Sequence, residues 1–169
     1  MKTLLILRHA KTQPDAPRGD HARELIERGL RDSRTMGLYI RERLGTPDAI
    51  VSSDAARARQ TAQIVAEVSG FAGDLTIEPR IYDAGVRTLL DVVRGLPDGE
   101  RVAIVGHNPG FEMLAGDLSA DGGPVRLPTA GLAVLEFDVS RWEDVRQGRG
   151  QLREIVTPKL LSVAESADD

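Results

Sequence analysis

Two of the three histidines in the chain, His9 and His107, directly follow the apolar segments that best predict strands, at residues 3–7 and 102–105. Continuous apolar runs of this length are typical of strands that are covered on both faces. In open α/β sheets, ligands bind in the crevice outside the carboxyl ends of the strands. The two imidazoles could therefore meet in one crevice, although a lone histidine can also simply end a strand.

Two arginines are placed to bring an anion into that crevice. Arg8 ends the first apolar run, and a guanidinium in a buried position needs an anionic partner, either a phosphate or a carboxylate of the protein. Arg57 falls in the first turn of a predicted helix, whose N-terminal N–H groups suit a phosphate. Arg59 lies roughly 200° from Arg57 around that helix and cannot reach the same pocket. Phosphate is the ligand that these positions favour.

The elements that must position these side chains alternate between strand and helix. The sequence predicts strands over residues 3–7, 48–52, 75–77, 102–105, 132–139 and 152–156, and helices over residues 23–44, 55–68, 88–96 and 111–118. Ser53 or Asp54 is available to cap the second helix, and Gly70 to end it. This order predicts an α/β fold, a three-layer α/β/α sandwich with a mostly parallel central sheet.

Length and composition set the outer limits. The 169 residues suffice for about one domain, predicted over residues 1–161, with a frayed acidic tail over residues 162–169. Because there is no cysteine, disulfides, thiolate metal sites and cysteine nucleophiles are excluded. The net charge of −4 gives no general basic surface for nucleic acid. No apolar stretch reaches about 18 residues, so we expect no membrane span and a cytoplasmic protein.

Three ordered motifs resemble those of the histidine phosphatase superfamily, whose fold is phosphoglycerate mutase-like. Residues 7–10 resemble its Arg-His-Gly signature, residues 53–61 its Ser-x-x-x-Arg-Ala-x-Gln-Thr segment, and residues 106–110 its second-histidine turn. Over residues 2 to about 139 the chain looks like the short SixA-type phosphohistidine phosphatases, and the dominance of arginine over lysine favours a bacterial source. Ala10 replaces the usual glycine and Asp54 a common proline, and neither change removes a catalytic group.

The resemblance implies a role for each candidate residue and requires no cofactor or metal. His9 would attack phosphorus and form a phosphohistidine intermediate, and His107 would donate a further hydrogen bond in the transition state. Arg8, Arg57 and Arg23 would neutralise the phosphoryl oxygens. The arginines should also depress the pKa of His9 and extend activity into mildly acidic pH.

The remaining candidates concern the substrate. Asn108 and Thr129 are expected to line the pocket, with turn or packing roles as the alternative. The mutase and monoester-phosphatase branches carry an acid on a longer insertion, whereas residues 81–93 here are short and offer only Asp83, which is equally well interpreted as a loop residue. An alkoxide leaving group needs a placed acid, whereas a phosphorylated imidazole can leave as a neutral ring. The expected substrate is therefore phosphohistidine on a protein, reached through an uncapped site.

Three alternatives remain open. A small phosphomonoester such as a sugar phosphate is the substrate if Asp83 is a working acid. A phosphate- or phosphoprotein-binding module without turnover would be expected to have lost His9. A metal hydrolase would need His-x-His or His-Glu-x-x-His spacing, which does not occur, and the group Asp15, Asp20 and His21 is interpreted as a polar loop.

Overall fold

The apolar segments predicted as strands form one mixed sheet in the computed structural model, which describes residues 1–168. Within that range the sheet has six strands in the order β3-β2-β4-β1-β5-β6. The strands are β1 Lys2–Arg8, β2 Ala49–Ser52, β3 Thr76–Ile77, β4 Arg101–Gly106, β5 Leu132–Phe137 and β6 Gln151–Val156. β1, β2, β3 and β4 are mutually parallel, and β5 is antiparallel to both β1 and β6.

Helices cover both faces of this sheet. They are α1 Glu27–Tyr39, α2 Ala56–Ser69, α3 Val86–Arg94, α4 Gly110–Leu118 and α5 Pro158–Asp168. Successive side chains of a strand point to opposite faces, so Leu4 and Ile6 pack with the apolar residues of α3 and α4, and Leu5 and Leu7 with those of α1 and α2. The predicted three-layer α/β sandwich is confirmed.

The first helix starts later than predicted. Residues 23–26 are extended because Leu25 pairs with Thr12 in an isolated bridge and donates its backbone N–H to Gln60 Oε1 at 2.8 Å. Leu25 is still buried, so its apolar character correctly indicated burial but wrongly indicated a helix. After Tyr39 the chain continues as a π-helical turn, Ile40–Leu44.

Two other local predictions differ from the structure. Ala55 occupies the N-cap position of α2 and no side chain caps the helix, because Ser53 accepts the N–H of Ala55 itself and Asp54 lies beside His21. Gly70 does end the helix in a left-handed conformation. In the tail predicted to fray over residues 162–169, helix α5 extends to Asp168, and residue 169 lies outside the described residues. Leu161 holds that helix against the cluster on the α1 and α2 side of the sheet. Every described helix is too short or too polar to traverse a lipid bilayer.

Candidate active site

A cleft of about 640 Å³ lies at the carboxyl ends of the central parallel strands. Every candidate residue of the sequence lines it: Arg8, His9, Arg23, Arg57, Asp83, His107, Asn108 and Thr129. Its rim includes the exposed residues Lys11, Pro14 and Ile26. The motifs, far apart along the chain, therefore meet in one cleft.

The ring of His9 is held in a defined tautomer. Its Nδ1 lies 2.8 Å from the carbonyl oxygen of Ala10, and because a carbonyl only accepts, Nδ1 carries the proton. The lone pair of the neutral ring is then on Nε2. Since His9 is only 7% exposed and lines the cleft, Nε2 is the atom available as a nucleophile.

The backbone around His9 is fixed from three sides. The His9 N–H donates to the Gly106 carbonyl at the end of β4, and the His9 carbonyl accepts from the N–H of Ala130. The next residue, Ala10, donates its N–H to Thr61 Oγ1 on α2 at 3.1 Å. Ala10 is fully buried in the apolar cluster, so its methyl group is accommodated there.

The second histidine faces the first. The rings of His9 and His107 are 5.3 Å apart between centroids and tilted by 52°. His107 Nε2 lies 2.8 Å from Ser53 Oγ, whose oxygen also accepts the N–H of Ala55. His107 Nδ1 is buried and has no hydrogen-bond partner among the described residues.

Both imidazoles are neutral over an unusually wide pH range. The pKa of His9 is lowered to about 4, chiefly by burial and also by the positive charges of Arg57, Arg8 and Arg23, while the bond to the Ala10 carbonyl acts in the opposite direction. Burial also lowers the pKa of His107 to about 3, with Arg57 as the next cause. The predicted direction for His9 is correct, but desolvation outweighs the arginines as the cause.

Three arginines surround the imidazoles. Arg57 is only 5% exposed, and Arg8 donates to the carbonyl of Leu127 at 3.1 Å. The Nε atoms of both side chains are buried without a partner among the described residues. Arg23 is held by Thr12 Oγ1, the Gln13 carbonyl and a carboxylate. Arg59 is exposed, as its helical position predicts.

Asp20 and Tyr82 belong to this site, although the sequence did not indicate either of them. The Asp20 carboxylate accepts from Arg23, Arg57 and the Tyr82 hydroxyl. These bonds hold its pKa well below the usual range for a carboxyl, and the bond from Tyr82 is the largest cause. Asp20 does lie in a polar loop, as predicted, but its contacts with the cleft were not predicted. Its position three residues before Arg23 was the only available signal, and it resembled that of any loop aspartate.

Asn108 and Asp83 occupy distinct positions in the cleft. Asn108 donates its side-chain N–H to the Leu127 carbonyl at 2.8 Å, so it also holds the loop that leads to Thr129. Asp83 lies on the exposed rim with a left-handed backbone, φ 53°. Its role as an acid stays a prediction.

His21 lies just outside the cleft lining. Its Nε2 is 3.0 Å from Asp54 Oδ1, and its ring packs edge-on against Tyr82. Over residues 1–168 no group of three or more histidine, aspartate or glutamate side chains is arranged to hold a metal ion.

Comparisons with known proteins agree with this geometry. The family model described as histidine phosphatase superfamily (branch 1) matches residues 4–86. The uncharacterized protein Rv1276c of Mycobacterium tuberculosis is 31% identical over 152 residues, which cover 84% of this chain and 93% of that protein.

Two solved structures are similar over nearly their whole length. A protein described as phosphohistidine phosphatase SixA from Nakamurella multipartitia has a TM-score of 0.80 and 30% identity, over 93% of this chain and 96% of its own. One with the same description from Agrobacterium tumefaciens has a TM-score of 0.76 and 32% identity, over 93% of this chain and 98% of its own.

Proposed function

Because the chain belongs to the histidine phosphatase superfamily, in its SixA-type branch, we propose that it dephosphorylates phosphohistidine on a protein, with His9 as the nucleophile. The family makes the chain a hydrolase that acts on phosphoryl groups. The observation that supports His9 as the nucleophile is its tautomer, because the free Nε2 belongs to a buried ring in a cleft lined by arginines.

In the first step Nε2 of His9 forms a bond to phosphorus, and the bond from phosphorus to the substrate nitrogen breaks. The electron pair of the broken bond stays on the leaving imidazole, which departs neutral once its other nitrogen carries a proton. Arg8, Arg23 and Arg57 balance the charge on the phosphoryl oxygens, as in other phosphoryl transfers.

His107 supplies a further hydrogen bond to the phosphoryl group. Ser53 Oγ can donate to His107 Nε2, because its oxygen already accepts the N–H of Ala55 and its own proton remains free. Nδ1 then carries the ring proton and donates to a phosphoryl oxygen, where charge builds up in the transition state.

In the second step water attacks the phosphorus of phospho-His9. The P–Nε2 bond breaks, its electron pair returns to the ring, and inorganic phosphate leaves with the oxygen of water. The water proton passes to a phosphate oxygen or to solvent. The cycle then ends with His9 in its starting tautomer.

The rim of the cleft supports a substrate carried on a protein surface. Lys11, Pro14 and Ile26 are exposed at the mouth, and the segment that leads to α3 is short. A phosphorylated side chain that projects from a folded protein can reach such a site, and its leaving imidazole makes no demand on a dedicated acid. The proposed partner is therefore a phosphohistidine protein, and the proposed location is the cytoplasm.

A small phosphomonoester is the second candidate, because Asp83 lines the cleft. As an acid, Asp83 would protonate an alkoxide leaving group. Replacing Asp83 by Asn separates the two candidates. If phosphohistidine is the substrate, the rate of its hydrolysis by Asp83→Asn stays within about twofold of wild type. If Asp83 is a working acid, the same substitution lowers the rate of alkyl ester hydrolysis on the order of 10²-fold.

The testing experiment measures phosphate release from a phosphohistidine protein and from a panel of alkyl and activated phosphate esters. Wild type and His9→Ala are compared, each with a metal chelator present. We expect His9-dependent, chelator-resistant turnover with the highest kcat/KM on phosphohistidine.

Each other outcome has a distinct meaning. Higher kcat/KM on an ester would move the substrate assignment to the second candidate. Loss of activity on chelation would contradict the proposed metal-independent chemistry. Phosphate binding without turnover on any substrate would indicate a binding module.

A further inference from the structure

Asp20 lies on the rim of the cleft between β1 and α1. It opens a short 3-10 turn, Asp20–Ala22, which follows Gly19 in a backbone conformation with φ 95°. Its side chain is half exposed, so its carboxylate is not part of any apolar core. The chemical steps proposed above make no use of it.

This residue contacts Arg57 at two points. Arg57 Nη1 donates to the main-chain carbonyl of Asp20 at 2.7 Å, and Nη2 donates to its carboxylate Oδ2 at 3.0 Å. Two contacts from one residue fix the plane of a guanidinium as well as its position. Arg57 is thereby oriented from the rim of the cleft.

The same carboxylate reaches two other elements. Its Oδ1 accepts from Arg23 Nη1 at 2.9 Å, and its Oδ2 accepts from the Tyr82 hydroxyl at 2.7 Å. The Tyr82 ring packs edge-on against His107, with 5.5 Å between centroids and an angle of 86°. Asp20 thus joins three side chains that come from different parts of the chain and that all line the cleft.

The negative charge of Asp20 offsets repulsion between the two arginines that it contacts. Arg57 and Arg23 are held in one cleft, where their like charges repel. One carboxylate bonded to both offsets part of that repulsion and remains ionised, because the three hydrogen bonds it accepts favour the charged form.

The contacts also leave donors free for a ligand. Asp20 takes one N–H from each Nη of Arg57, and the second N–H of each Nη is used by none of the described contacts. A guanidinium has five N–H donors. A phosphoryl group can therefore bind Arg57 while Asp20 stays in place, so Asp20 need not compete with it.

We propose that Asp20 is a positioning residue that holds Arg57 and Arg23 in the orientation that binds the phosphoryl group, and that ties Tyr82 to the same carboxylate. The inference rests on the proposed function, because it assumes that these arginines bind phosphate. It assigns Asp20 no contact with the reacting atoms.

The first test measures the binding of inorganic phosphate by calorimetry to wild type, Asp20→Asn and the matched control Asp15→Asn. Asp15 is an exposed residue of the same loop. We expect Asp20→Asn to weaken phosphate binding about tenfold, as loss of charge-assisted bonds to two arginines implies, and Asp15→Asn to change nothing. Unchanged or tighter binding by Asp20→Asn would overturn the proposal, since tighter binding would make Asp20 a competitor of phosphate.

A double-mutant cycle separates positioning from a general structural effect. In an Arg57→Ala background, Asp20→Asn should cause less than about half of the loss it causes in wild type, because its main partner is already gone. Full additivity of the two changes would contradict action through Arg57. Tyr82→Phe removes only one bond to the carboxylate and should weaken phosphate binding in the same direction by a smaller factor; no loss would contradict the tie to Tyr82.

The control on the proposed function is wild type itself. If wild type does not bind phosphate, the proposed function fails and this inference fails with it. If wild type binds phosphate and releases it from substrate while Asp20→Asn does both equally well, only the inference about Asp20 fails.

Discussion

His9 and His107 differ from ordinary surface histidines because both are buried beside fixed positive charge. Protonating either ring would place a further cation in a desolvated cleft that already contains arginines. The nucleophilic lone pair therefore stays free where most histidines have become imidazolium. The bond from His9 Nδ1 to Ala10 determines which nitrogen carries that lone pair.

This protonation state predicts the pH profile. With the pKa of His9 at about 4 and that of His107 at about 3, kcat/KM should stay within about twofold from roughly pH 8 down to roughly pH 5. The sign follows from the lowered pKa, because the neutral ring persists to lower pH. Initial rates on a substrate that does not titrate in this range provide the measurement. A loss of rate centred near the usual histidine pKa of about 6.5 would contradict it.

At the scale of elements, the strand ends and α2 hold the reactive side chains in fixed relative positions. Two neighbouring residues on α2 provide the contacts, since Thr61 accepts the N–H of Ala10 and Gln60 accepts the N–H of Leu25. The first bond fixes the chain that follows His9, and the second holds the extended segment that carries Arg23. The Gln-Thr pair of the second motif thus has a structural explanation.

Thr61→Val tests the first of these contacts. The substitution keeps the shape of the side chain but leaves a buried N–H without its acceptor, which should lower the free energy of unfolding by about 1–3 kcal/mol. It should also lower kcat/KM, since His9 loses one of its supports. Thr35→Val on α1 is the matched control, because its hydroxyl bond to Arg31 is exposed, and we expect a change below about 0.5 kcal/mol. Equal effects of the two substitutions in urea unfolding would refute the assignment.

The sequence predicted the elements better than their boundaries. Strand ends at His9 and His107 were predictable because continuous apolar runs stop there. The start of α1 was not, because Leu25 is buried in an extended segment that Gln60 holds, and a buried apolar residue has the same sequence signal in either conformation. Asp20 and Tyr82 could not be found because their roles depend on contacts across 37 and 62 residues of chain.

At the scale of the whole molecule, two apolar clusters lie on opposite faces of one sheet. The cleft is at one end of that sheet, so burying His9 and His107 there carries a cost in stability that depends on pH. In the unfolded chain both rings regain an ordinary pKa of about 6.5, and the unfolded state binds more protons below that pH.

Stability should therefore fall as pH falls, and part of the fall should be traceable to His9. Between pH 7 and pH 5 the lowered pKa of His9 should cost wild type about 2 kcal/mol of unfolding free energy, a cost that His9→Asn does not have. The unfolding free energy of the variant minus that of wild type should thus rise by that amount between pH 7 and pH 5. Urea unfolding of both proteins at a series of pH values measures this change. If the unfolding free energies of the two proteins run parallel against pH, His9 is not buried as a neutral ring.

The most direct test of the account looks for the covalent intermediate itself. The protein is mixed with a phosphohistidine substrate, quenched in alkaline denaturant, and analysed by peptide mass spectrometry under conditions that preserve phosphohistidine. The proposed mechanism predicts a phosphoryl group on His9 in wild type, at higher occupancy in any variant that slows the second step, and none in His9→Ala. Steady turnover with no phosphoryl group on His9, or turnover that persists in His9→Ala, would contradict it.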